Sequence, residues 1–221
     1  MSTDALFQFP HPSKSNKHGL LHVGGELTPE RILEAYSKGI FPWFEPGNPV
    51  LWWSPNPRLI LYPDDFKVSR SLQAALNKEH RFTIDTCFEE VIKACATIDD
   101  REGNTWITKE MMEAYTTLHH QGYAHSFEIW HRDQLTGGLY GLSLGNAFFG
   151  ESMFHRETNA SKMAMFYLCQ TMKQWDFEFI DCQLPTAHLK SLGGKMISRD
   201  EFLYKLQNTM KNPAKMGTWQ L

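Results

Sequence analysis

Apolar positions along the chain fall into three regimes: helical spacing, strand alternation and one rigid aromatic stretch. Residues up to about Asn16 are polar and interrupted by proline, so they are expected to be loosely held. Leu20, Leu21 and Val23 form a short apolar run closed by Gly24 and Gly25. A helix is expected from Thr28, whose hydroxyl can accept an orphan backbone N–H, with Pro29 suited to the first helical position. Ile32, Leu33 and Tyr36 share one face, and Gly39 supplies the stop. Between Phe41 and Arg58 the chain carries Trp43, Trp52 and Trp53 among five prolines. Residues that precede proline avoid the helical region, so this stretch is extended or turning. Its tryptophans either display rigid surfaces or plug a core between two domains. A boundary at Arg58 gives a small N-terminal domain over residues 1–57 and a second domain over 58–221.

From Leu59 the two periodicities interleave. Residues 69–79 are expected to be helical with Leu72 and Leu76 inward, 82–85 a strand, and 88–96 a helix. Thr108 caps a helix with Met111, Tyr115 and Leu118 on one face. Residues 124–130, 135–144 and 147–154 alternate as three antiparallel strands, with a bulge expected at Gly137–Gly138. Asn159 or Ser161 caps a long helix to about Trp175, apolar nearly all round and therefore buried. A strand over 177–182, a short helix over 188–192, a strand at Met196–Ile197 and a helix capped by Asp200 complete the chain. The class is α+β, and the element order is that of the GNAT-type N-acyltransferase fold. Fold alone does not fix function.

Composition narrows the field. A chain of 221 residues with 42% hydrophobic and 13% aromatic content is a folded protein, not a disordered one. A net charge of -3 argues against a basic nucleic-acid coat protein. Lys67, Arg70, Lys78 and Arg81 still form a basic stripe, which is either a phosphate-backbone footprint or a solvated helix face. Cys87, Cys95, Cys169 and Cys182 form no CxxC pair and no zinc-finger spacing, so they read as buried reduced thiols, and no metal is expected. Met1 to His11 carry no basic and apolar leader, and no window approaches a membrane span. A cytoplasmic protein without membrane contact is expected.

Three polar groups could carry chemistry. Asp181 and Gln183 stand at alternate positions of a strand end, so they are expected to face one cleft. Asp181 is then a general base, or else a cap of the following turn. Glu151 lies inside an aromatic strand, where a carboxylate must be functional or paired, for instance with Arg156. Phe148 could line the same cleft. His188 could be a base or a structural histidine. Cys182 alternates away from Asp181 and Gln183, which speaks against a thiol nucleophile. The loop 155–160 before the long helix has no glycine and carries Glu157. Coenzyme-A-using members of such a fold need bare backbone N–H groups there to cradle a pyrophosphate, so no cofactor is expected.

The blocks Gly39–Phe44, Leu51–Arg58, Thr105–Thr108, Gly150–Phe154, Asn159–Lys162 and Ile180–Gln183, with His188 and Ser191–Gly193, resemble the leucyl/phenylalanyl-tRNA–protein transferase family from about Gly19 to about Leu206. The resemblance implies transfer of Leu or Phe, and Met less well, from aminoacyl-tRNA to proteins with an N-terminal Arg or Lys, marking them for the N-degron pathway. It implies a small N-terminal domain on a GNAT-like domain, with aminoacyl-tRNA in place of an acyl-coenzyme A. By the same resemblance, Trp43, Trp106, Phe148 and Ile180 line the pocket for the transferred side chain. Leu168 and Met172 stand where the family leads one to expect phenylalanines. Glu151 and Gln183 are polar groups at the reacting ends, Asp181 assists deprotonation of the amine, and the basic stripe is the tRNA-binding surface. A coenzyme-A-dependent acetyltransferase and a non-catalytic RNA-binding adaptor are the rival readings.

Overall fold

The computed structural model describes residues 8–98 and 105–220. Part of the segment in which no leader was recognised therefore lies outside the described residues. Two sheets organise the chain. The small one has the order β1 (Leu20–Val23), β3 (Leu51–Trp53), β2 (Phe41–Pro42), all antiparallel. Helix α1 (Pro29–Ser37) enters as expected, with the Thr28 hydroxyl accepting the Arg31 N–H at 3.3 Å. Trp52 is the plug: it is fully buried, meets Phe9 edge-on at 4.8 Å and donates its indole N–H to the Gly24 carbonyl. Trp53 on the same strand stays half-buried, and Trp43 is exposed.

The large sheet has seven strands. In spatial order they are β10 (Lys195–Ile197), β4 (Arg58–Leu61), β9 (Phe179–Gln183), β8 (Ala147–His155), β7 (Gln134–Leu144), β6 (Ala124–His131) and β5 (Arg81–Ile84). Every pairing is antiparallel except β8–β9. A parallel neighbour needs a crossover, which the long helix α5 (Ala160–Gln174) supplies. This is the expected element order, with one strand added: β4. All four of its residues are buried, so it shows no alternation, and a parallel-sheet-like apolar run after a proline block was not recognised as a strand.

Each face of the large sheet has its own core. Helix α2 (Arg70–Leu76) and α5 cover one, through Leu72, Met165, Leu168 and Met172. Helices α3 (Phe88–Thr97) and α4 (Lys109–His120) cover the other, and that core continues through Tyr36, Phe41 and Trp52 into the small sheet. The short helix α6 (Ala187–Ser191) and the final helix α7 (Arg199–Thr209) complete the described elements.

Three local expectations are corrected. The bulge falls at Thr136, not at Gly137–Gly138: Ile129 pairs with Gly137 and Trp130 with Leu135. Gly137 serves close packing instead, because a Cβ there would lie 2.5 Å from the Ala160 Cβ at the start of α5. Helix α7 is capped by Ser198, whose hydroxyl accepts the Glu201 N–H at 3.1 Å, so Asp200 lies inside the first turn. Asn159 does precede α5, but in the left-handed conformation (φ 70°) and without a side-chain cap bond. Its amide reaches across to the Ser71 carbonyl at 3.2 Å.

Candidate active site

Strands β8 and β9 pair from Ala147 with Phe179 to Phe149 with Asp181, and then part. Each carries an extra residue just beyond the last pair. On β8, Gly150 pairs with Gly141 and Ser152 with Tyr140, so Glu151 is the bulged residue. On β9, Asp181 pairs with Ile60 and Gln183 with Leu59, so Cys182 is bulged, and Gln183 adopts φ 54°. A bulge breaks pairing and re-aims side chains. Two of them facing one another across a parted pair open a cleft in the sheet.

Glu151 is held at the floor of this cleft by two tyrosines. The Tyr36 hydroxyl donates to Oε1 at 2.5 Å and the Tyr115 hydroxyl to Oε2 at 3.1 Å, the two hydroxyls lying 3.0 Å apart. Burial pushes the Glu151 carboxyl up to about 7, a rise that the two tyrosine bonds partly oppose and the charge of Asp181 reinforces. The expected pairing with Arg156 is not made; that guanidinium donates to the Leu135 carbonyl at 2.7 Å. Tyr36 and Tyr115 read in the sequence as ordinary apolar positions on helix faces, and their hydroxyls gave no signal.

Asp181 is placed differently from expectation. The bulge at Cys182 cancels the alternation, so Asp181 points away from the cleft and Cys182 lines it. The Asp181 carboxylate is fully buried and accepts from Arg58 twice, from Nε at 2.9 Å and from Nη2 at 2.6 Å. Arg58 is buried as well, sandwiched between the Phe41 ring (4.8 Å) and the Phe202 ring (4.5 Å), and donates to the Gly39 carbonyl at 3.2 Å. The same carboxylate accepts the Gln183 backbone N–H at 3.0 Å. Asp181 thus fixes the strained backbone that presents Gln183. Arg58 was read only as a boundary residue. Burial holds the Cys182 thiol well above the ordinary range, which leaves it protonated and poorly nucleophilic.

Two cavities meet at Glu151, Cys182 and Gln183. The inner one, about 80 Å³, is walled by Leu139, Met153, Met165, Leu168 and Ile180. The outer one, about 270 Å³, is walled by Phe41, Trp43, Trp106 and Leu184. Leu168 and Ile180 line the inner cavity, whereas Trp43 and Trp106 line the outer one. Phe148 and Met172 are fully buried in the core on the α5 side of the sheet and are not on the wall of the inner cavity. Met153 and Met165 are wall residues that the sequence reading missed, because methionines on a strand and a buried helix look like generic core. His188 is exposed on α6 and lines neither cavity.

Lys67, Arg70, Lys78 and Arg81 are all exposed. Arg81 lies 4.6 Å over the Trp130 ring. In the loop before α5, the Arg156 and Glu157 N–H groups both donate to the Thr136 carbonyl, at 2.7 and 3.3 Å, and Glu157 pairs with His131 at 2.9 Å. Those amides are committed internally. Among the described residues no three His, Cys, Asp or Glu side chains form a cluster able to hold a metal ion, and no helix is long and apolar enough to cross a membrane.

A family model for leucyl/phenylalanyl-tRNA protein transferase matches residues 60–207, and a model for the N-terminal domain of the same transferase matches residues 25–56. The leucyl/phenylalanyl-tRNA–protein transferase of Legionella pneumophila (strain Corby) is 62% identical over 221 residues, covering 100% of both chains. That of Cellvibrio japonicus is 53% identical over 197 residues, covering 89% of this chain and 84% of its own. Among solved structures, a GCN5-related N-acetyltransferase-like protein from Streptococcus suis aligns over 76% of this chain and 64% of that one, at 12% identity and a TM-score of 0.37. By sequence over its full length, the chain belongs to the leucyl/phenylalanyl-tRNA–protein transferase family.

Proposed function

We propose that the parted strands form the site where Leu or Phe, and Met less well, passes from aminoacyl-tRNA to the N-terminal Arg or Lys of an acceptor protein, with Glu151 and Gln183 as the catalytic residues. The observation that carries this reading is the junction of an apolar cavity with a carboxyl pushed up to about 7. The transferred side chain enters the inner cavity against Leu168 and Ile180, with Phe148 and Met172 supporting it from behind. Such a pocket separates similar apolar groups by only ~1–3 kcal/mol per methylene, which accounts for overlap among Leu, Phe and Met.

With the side chain seated there, the ester carbonyl lies at Glu151 and Gln183, and the acceptor amine approaches through the outer cavity between Trp43 and Trp106. An α-amine has a pKa of ~7.7–8.0 and must lose a proton to attack. A general base works best when its pKa lies near the working pH, and Glu151 is so placed. The amine nitrogen bonds to the ester carbon, its proton passes to Glu151, and the bond to the ribose oxygen breaks as Glu151 hands that proton to the leaving oxygen, which restores the carboxylate. The Gln183 amide orients the reacting groups, and Asp181 is a positioning residue that acts through the Gln183 backbone. The ester is already activated, so the step needs no ATP, metal or coenzyme. Lys67, Arg70, Lys78 and Arg81 receive the tRNA backbone. The product acquires an apolar N-terminus, which suits a cytoplasmic role in marking proteins for the N-degron pathway, and the division at Arg58 separates the small sheet from the unit that holds the chemistry.

The test mixes the protein with radiolabelled Leu-tRNA and an Arg-initiated peptide, with EDTA present and without ATP or coenzyme A. Labelled peptide is expected, and none with Glu151→Gln at neutral pH beyond a few per cent. Wild-type rates in Glu151→Gln across pH 6 to 9 would reject the assignment of the base.

A further inference from the structure

From Lys211 onward the described chain forms neither helix nor strand. Lys215, Met216, Gly217, Thr218 and Gln220 are exposed, yet Trp219 is only 2% exposed, so this tail buries one large side chain. Its course is fixed before that point. Gly217 passes over Gly122 so closely that a Cβ on Gly122 would lie 2.3 Å from the Gly217 nitrogen, and the Lys215 ammonium stands 3.7 Å over the Trp175 ring. The Trp219 backbone N–H donates to Asp85 Oδ2 at 2.8 Å, the oxygen that also bonds His125 Nδ1 at 2.8 Å, while Asp85 Oδ1 accepts the Ser126 N–H at 2.9 Å. Bonds to an ionised carboxylate are roughly twice as strong as neutral ones, so Asp85 is a firm anchor. The indole stacks on the His125 ring at 3.5 Å and meets the rings of Trp175, Phe177 and Phe148 at 5.0, 5.9 and 6.2 Å. Its own N–H donates to the Lys215 carbonyl at 2.8 Å.

Phe148 links this plug to the inner cavity. It is the Cα partner of Ile180 across the β8–β9 pair, and both side chains lie in the core on the α5 side of the sheet. Ile180 walls the cavity. Two further rings brace Phe148: Phe127 at 6.0 Å and Trp219 at 6.2 Å. Phe127 is fixed within the sheet, paired with Ile84 on one side and Leu139 on the other. Trp219 hangs on the tail. The cavity measures about 80 Å³, whereas a cavity of roughly 150 Å³ is known to hold a benzene ring, so a phenyl group asks more of the wall than an isobutyl group does. We propose that Trp219 is a positioning residue that sets, through Phe148, how far the Ile180 wall yields, and with it the choice between Leu and Phe as the transferred residue. A close-packed core has few voids to absorb a displacement, so a change behind Phe148 is felt at Ile180. Taking the indole away opens space behind Phe148, lets the wall retreat and favours the larger side chain. The inference rests on the placement of the transferred side chain in the inner cavity.

Steady-state transfer to one Arg-initiated peptide, measured in parallel from Leu-tRNA and from Phe-tRNA, tests it. The readout is the ratio of the two kcat/KM values, which cancels any loss that strikes both substrates alike, a smaller folded fraction included. Trp219→Leu is expected to raise the Phe-to-Leu ratio by about threefold to tenfold, the scale of coupling through packed neighbours. Trp219→Phe should fall between that value and the wild-type one, and it carries the test alone where the leucine variant does not fold. Transmission through Phe148 is read from a double-variant cycle: in a Phe148→Leu background, Trp219→Leu should leave the ratio nearly unchanged. A ratio at or below that of wild type in the Trp219 variant overturns the proposal, and so does a shift that persists in full beside Phe148→Leu. Ile180→Ala in the same assay keeps the two ideas apart, because it should raise the ratio directly. A wild-type ratio there rejects the placement of the side chain in the inner cavity, whatever Trp219 does. A shift in Ile180→Ala with none in Trp219→Leu rejects the positioning role alone.

Discussion

A guanidinium and a carboxylate shut off together from water cost several kcal/mol each to desolvate, and their mutual attraction repays this only with good geometry. Arg58 and Asp181 have that geometry; a further donor of Arg58 goes to the Gly39 carbonyl, and its guanidinium lies over the Phe41 and Phe202 rings. Removing one partner leaves a bare buried charge, so Arg58→Met is expected to cost about 3–5 kcal/mol in urea unfolding, more than the loss of one side chain's packing on its own. Glu151 carries a second linkage. Its folded pKa of about 7 lies above its ordinary value of 4.5. The stability it contributes is therefore fully present below the lower value and is lost as pH rises through the upper one. At ~1.36 kcal/mol per unit, Glu151→Gln should gain about 3 kcal/mol relative to wild type between pH 4 and pH 8. Parallel stability curves for the two proteins over that range would show that the carboxyl is not held protonated by its surroundings.

Strands made most of this architecture legible, and their irregularities hid the rest. The three-strand meander, α4 with its Thr108 cap and the buried α5 follow from alternation and helical spacing, because each buries one continuous face. Alternation assumes one residue per step, and Cys182 and Glu151 break that rule where β8 and β9 part. Reading Asp181 and Gln183 as one face was sound for a regular strand and failed at the bulge. Long-range partners left no local mark either: Tyr36 and Tyr115 reach Glu151 from helices 115 and 36 residues away in sequence. The strand pattern singled out Glu151 and Gln183, and the family resemblance implied their roles. At Gly137 the element-level packing has a direct test. A methyl there would meet Ala160 at 2.5 Å, so α5 must shift from β7. Gly137→Ala is expected to cost about 1–3 kcal/mol, as overpacking does, and to raise KM for Leu-tRNA through Leu168 and Met165 on the same helix. A variant as stable as wild type would mean that α5 can move freely.

Taken as a whole, the molecule is weakly acidic but carries one local basic stripe. A net charge of -3 would not draw a polyanion by itself, yet Lys67, Arg70, Lys78 and Arg81 are exposed on α2 and its flanks. Phosphate contacts release counterions, so each one removed should reduce the slope of log affinity against log salt by ~0.7–0.9. Arg70→Ala and Lys78→Ala are expected to do so, with KM for aminoacyl-tRNA rising and kcat nearly kept, because neither side chain touches the reacting groups. Arg81→Ala should behave differently. Its guanidinium also covers Trp130 at 4.6 Å, so stability should fall together with affinity. Filter binding of Leu-tRNA from 50 to 200 mM salt, with thermal unfolding of the same three variants, separates the two kinds of effect. Unchanged salt slopes in all three would remove the stripe from the tRNA path and leave it a solvated helix face.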